Sequence, residues 1–136
     1  MTQHLHTPRR ICVLACAALV AMTSCSTPAR TATNFCRQLQ LELPEIAQPT
    51  ATPAEVLALV GRYERLLRVA PLAIEKDWKA LTDLVKSAAK VDAGDPASVQ
   101  AVADLSYTTE KNAIASSTWV RETCGVDIST GISTTP

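Results

Sequence analysis

Residues 52–69 read TPAEVLALVGRYERLLRV. Thr52 can cap a helix N-terminus. Pro53 suits the first turn, where its missing N–H is not needed, and Glu55 completes a capping box. Val56, Leu59, Val60, Tyr63, Leu66 and Leu67 then recur at spacings of three and four. That is one apolar stripe at helical period, so the stretch predicts an amphipathic helix running to Val69. A helix of this kind is stable only when other elements cover its stripe.

The partners lie on both sides. Downstream, Pro71 opens a third helical stretch to about Lys90, with Ile74, Trp78, Leu81, Val85 and Ala88 on one face and Lys76, Lys79, Asp83 and Lys86 largely filling the rest. Asp92-Ala93-Gly94 ends it. Asp95 and Pro96 again pair a cap with a first-turn proline, and the helix they start can run to Cys124, where Gly125 supplies a stop. At 1.5 Å per residue it would be about 43 Å long, so its end projects or it bends near residues 107–109, where helix propensity is weak. If it is straight, Val99, Val102, Ser106, Ala113, Ser117, Val120 and Cys124 fall in one stripe of mostly small residues. Upstream, a short helix from about Asn34 to Leu43 carries Phe35, Leu39 and Leu43 on one side, and Pro44 is expected to stop it. Residues 45–51 connect it to the next. The expected fold is all-α: a small four-helix, bundle-like domain over 34–128, with no strand.

The first 25 residues are of another kind. A polar head with Arg9 and Arg10 precedes an apolar run from Ile11 to Met22, then Thr23, Ser24 and Cys25. This is the order of an export leader, whose apolar core is roughly 7 to 15 residues. The run is short of the roughly 20 apolar residues a spanning helix needs. Met22-Thr23-Ser24-Cys25 has the form of a lipobox, with Ser24 as the small residue before the cut and Met22 replacing the usual Leu. Residues 1–24 are therefore expected to be a lipoprotein signal peptide and Cys25 to be lipidated. Val13-Leu14-Ala15-Cys16 is a rival box that leaves almost no apolar core. Cleavage without a lipid and retention as an uncut anchor compete with this reading, and twin-arginine export lacks its polar and Phe-Leu context. Ser26 to Thr33 reads as a polar tether and residues 129–136 as a disordered tail.

Loss of the leader changes the chemistry available. Arg9 and Arg10 leave, so eleven basic residues face 13 acidic ones, and His4 and His6 leave too. Nothing in this balance favours nucleic acid, for there is no basic tail or basic-aromatic alternation. Of the five cysteines, Cys12 and Cys16 go with the leader and Cys25 takes the lipid. Cys36 and Cys124 remain, and an even pair in a small exported domain reads as a disulfide. A redox-active pair would usually sit two residues apart.

Taken together, the lipobox-like leader, Phe35-Cys36, Ala70-Pro71 opening a helix with Asp77-Trp78, and the closing Cys124-Gly125-Val126-Asp127 resemble the small exported lipoproteins of actinobacteria. The resemblance implies an envelope location and a disulfide-stapled helical domain. It assigns no catalytic or binding residue.

Catalytic groups are scarce. Without histidine or free cysteine a nucleophile has no evident base, and no Gly-x-Ser-x-Gly turn occurs. Asp92, Asp95 and Asp127 lack the alternating oxygen spacing of a calcium loop, so no metal or cofactor is expected, and the chain is not expected to be an enzyme. Trp78 shares the face of Ile74 and Leu81 and is expected in the core, with the wall of a ligand cavity as its alternative. Trp119 points about 140° from the stripe ending at Cys124, and Tyr107 also leaves it. Both are candidate partner contacts, although Trp119 can equally pack on the first helix or the tail. Arg62, Arg65 and Arg68 form a basic stripe, read either as a solvated face or as a contact for anionic headgroups. The functional expectation is a lipid-anchored module on the extracytoplasmic face of the cell membrane that binds an envelope protein. The alternative is a carrier that holds a small apolar ligand between its helices.

Overall fold

The capping box at Thr52 forms as its residues predict. The Thr52 hydroxyl accepts from the Glu55 N–H at 3.3 Å, and the Glu55 carboxylate accepts from the N–H groups of Ala51 and Thr52, both at 2.8 Å. The helix it starts is one of four in a computed structural model that describes residues 27–129. They are α1 (Ala32–Ile46), α2 (Pro53–Val69), α3 (Leu72–Ala88) and α4 (Pro96–Cys124). There is no strand among the described residues. The leader, Cys25, its rival Cys16 and residues 130–136 of the expected tail lie outside them.

Each helix packs against the next in sequence, and α4 returns to α1. Short connectors make successive helices antiparallel, the arrangement of an up-and-down bundle. The core draws Phe35 and Leu39 from α1, Leu66 and Val69 from α2, Ala70 from the junction that follows, Ile74, Trp78 and Leu81 from α3, and Val120 from α4. The Phe35 ring is its hub. It meets the Trp78 and Trp119 rings edge-on, at centroid distances of 5.1 and 5.6 Å, and the Tyr63 ring stacks on the other side of Trp78 at 5.6 Å. Edge-to-face and offset contacts of this kind add about 0.5–1.5 kcal/mol per pair beyond area burial. The Trp78 indole N–H donates to the Tyr63 carbonyl at 3.3 Å, so the buried ring leaves no donor without a partner.

Cys36 and Cys124 form the expected disulfide, with Cα atoms 5.3 Å apart and a sequence separation of 88. It ties the first turns of α1 to the last turn of α4. Gly125 then adopts φ +66°, the left-handed cap that glycine tolerates best, and its N–H closes on the Arg121 carbonyl. Beyond it Val126 and Ile128 pack back onto the core.

Two features of α1 differ from expectation. Pro44 does not stop the helix, which runs on to Ile46. The proline falls in the last turns, on an exposed side, where the Gln40 carbonyl that loses its helical partner can bond water, and Ile46 gains packing on the core. The helix also starts earlier, at Ala32, inside the stretch read as tether. Thr31 caps it by accepting from the Asn34 N–H at 3.2 Å, and the Asn34 side chain donates to the Ala29 carbonyl. Arg30 is bound as well: its Nε donates to the Ala70 carbonyl and its guanidinium meets Glu75, both at 2.8 Å.

Candidate functional site

The arginine stripe is organised by a residue outside the expected sites. Glu42 sits one helical step past Leu39 on the inward face of α1 and is 4% exposed. Arg65 grips it with two bonds, Nε to Oε1 at 2.5 Å and Nη2 to Oε2 at 2.8 Å. Arg62 adds a third at 3.0 Å and reaches Glu45 at 3.4 Å, while Gln38 donates to Glu42 at 2.7 Å. These bonds, that from Arg65 first, outweigh the cost of burial and lower the Glu42 pKa from its usual 4.5 to about 2. Arg62 and Arg65 therefore lock α2 to α1 and do not form a stripe presented to headgroups. Arg68 is the exception: it remains exposed in the last turn of α2.

Helix α4 is rotated relative to the expected stripe. Of that stripe Val120 is buried and Ala113 and Cys124 pack on the core, but Thr109 and Ser116 are buried too, which turns the inward face about 60° from the line through Ser106 and Ser117. Val99 and Ser106 consequently lie exposed. The same rotation brings Trp119 to the flank of the core, where it is half-buried against Phe35. Of its two readings, packing on the first helix is the one the structure shows. Tyr107 points nearly opposite the core and is 76% exposed, and Ile114, seven residues on, is 59% exposed on the same outer side. Asn112 fixes the helix against α3 by donating to Asp77 at 2.7 Å.

Beside Tyr107 and Ile114 runs an open groove of about 560 Å³ between α3 and α4. Leu81, Leu84 and Ala113 form its apolar floor, and Ser106, Glu110 and Ser117 supply polar groups along it. The chain matches no family model, no curated protein and no solved structure. Its site is therefore read from this geometry alone. No group of three or more His, Cys, Asp or Glu side chains able to hold a metal ion occurs among the described residues, and no described helix is long and apolar enough to cross a membrane. The space around Trp78 is filled by Phe35 and Tyr63. The groove, by contrast, is open to a ligand.

Proposed function

We propose that the protein is a membrane-anchored lipoprotein of the cell envelope, held through Cys25 on the extracytoplasmic face, and that its domain is a non-catalytic adaptor for another envelope protein. The likeness to small exported actinobacterial lipoproteins belongs to this reading. The observation that carries the adaptor role is the outer face of α4. Tyr107 and Ile114 stand in solvent beside a groove that continues their apolar surface toward Leu84. Tyrosine at such a position is the residue type that interfaces enrich, and a rigid helix presents it at little entropic cost.

The test places a photocrosslinking side chain at position 107 in the native host. A discrete adduct that disappears with Ile114→Asp is expected, and absence of any adduct at 107 while a control on the opposite end of the bundle behaves identically would refute the adaptor reading. The anchor is checked apart from it: Cys25→Ser should move the protein from the membrane to the soluble fraction, and the wild-type mass should carry the lipid increment. The second reading, a carrier for a small apolar ligand, draws on the volume of the same groove. It predicts a discrete added mass in native but not denatured mass spectra.

A further inference from the structure

The two ends of the bundle differ in charge. Arg30, bonded to Ala70 and Glu75, fixes where the chain enters, so the residues leading back toward Cys25 emerge beside the α2–α3 junction. The Cys36–Cys124 bond brings the end of α4 to the same place. Leu72, at that junction, is 82% exposed, the highest value among the exposed large apolar side chains of the described residues. At the same end Arg37, Arg68, Lys76 and Arg121 are exposed, each within the first turns of α1 or α3 or the last turns of α2 or α4. One acid at this end is paired with a cation. Glu75 pairs with Arg30, while Asp77 and Asp127 accept from the neutral Asn112 and Ser129 and keep their charge, as does Glu122, so the four free cations exceed the remaining acids by one. At the opposite end Glu55, Asp92, Asp95 and Asp104 are exposed beside Lys90, while Lys86 is paired with Glu64.

We infer that the end built around Leu72 is a docking surface for an anionic phospholipid bilayer. Leu72 enters the headgroup layer, and Arg37, Arg68, Lys76 and Arg121 face lipid phosphates. A basic side chain close to such a surface raises partitioning about fivefold, and an apolar side chain at its centre adds to that attraction. With that end seated on the bilayer, the long axis of the bundle stands away from the membrane and the outer face of α4 stays open. The inference draws on the anchor reading for the membrane's presence, but the surface itself does not require a lipid on Cys25.

The experiment uses the full chain carrying Cys25→Ser, so that no covalent lipid contributes and residues 1–26 are common to every variant. Partitioning onto phosphatidylglycerol–phosphatidylcholine vesicles and onto pure phosphatidylcholine vesicles is measured at about 50 mM salt, where surface charges are weakly screened. Leu72→Asp and the double variant Arg68→Glu/Arg121→Glu are each expected to lose at least about tenfold in partitioning onto the anionic vesicles. Leu57→Asp, a change at the 65% exposed leucine of the far end, should lose nothing. All these side chains are exposed, so helical circular dichroism should be unchanged. Equal partitioning of the Leu72 and arginine variants with their parent would overturn the inference, as would an equal loss in Leu57→Asp. A wild-type mass without lipid, combined with Leu72-dependent binding, would remove the anchor and leave the surface standing.

Discussion

Replacing Glu42 with glutamine should expose how much of the α1–α2 contact is ionic. The substitution keeps the side-chain volume and one acceptor but removes the charge that Arg62 and Arg65 share. A pKa lowered from 4.5 to about 2 corresponds to about 3 kcal/mol of preference for the ionised form in the folded state. Both arginines are partly exposed, so water can solvate them once the carboxylate is gone, and the expected loss at pH 7 is about 2 kcal/mol, below the 3–5 typical when a buried charge is left alone. For a domain of this size that lowers Tm by about 8–16 °C. Because the folded pKa lies below the unfolded one, the contribution is complete above about pH 4.5 and disappears as pH falls toward 2. Urea unfolding of the wild-type and Glu42→Gln proteins across that range should show a gap that closes on acidification. A gap under about 0.5 kcal/mol at neutral pH, or one that does not change with pH, would show that the bonds to Glu42 do not hold the helices.

Four further outcomes are expected. Reducing the Cys36–Cys124 bond, or replacing both residues with serine, should cost about 4 to 5 kcal/mol, since the bond closes a loop of 88 positions, and reduction should add about two hydrogens to the mass; a Tm shift of only a few degrees would contradict this. Ser116 is fully buried with no partner for its hydroxyl among the described residues, so Ser116→Ala should leave thermal stability unchanged or raise it by up to about 1 kcal/mol. Thr52→Ala should lower stability by about 1 kcal/mol through loss of the cap, seen in urea titration. Burial raises the Tyr63 pKa above its usual 10, so the unfolded chain releases that proton first and stability should fall as pH rises past 10, with Tyr63→Phe removing the fall.

The starts of α2 and α4 and the end of α4 were the most legible part of the sequence. Thr52-Pro53 and Asp95-Pro96 each pair a side-chain cap with a proline that a first turn accepts, and Gly125 takes the left-handed conformation that its position requires. Pro44 misled because a proline's cost depends on where the orphaned carbonyl points, and here that side faces water. The inward face of α4 could not be read because Ala, Ser and Thr occur all around it, so polarity hardly changes with rotation. The Trp119 reading inherited that uncertainty. Glu42 did leave a signal: Phe35, Leu39, Glu42 and Ile46 form one inward line, and a carboxylate in such a line must meet cations from a facing helix. The neighbouring helix supplies Arg62 and Arg65 one turn apart. Arg30 left none, since its partners are a backbone carbonyl 40 positions away and one glutamate.

The disulfide also sets how the domain bears force. A pull applied through residue 27 crosses only nine residues before it reaches Cys36, and there it passes through sulfur to the end of α4. The three connectors between helices lie outside that load path, so tension cannot unspool the bundle helix by helix from its entry point. A protease that cuts one connector leaves the fragments on either side covalently joined, and a nicked molecule stays in one piece until it meets a reductant.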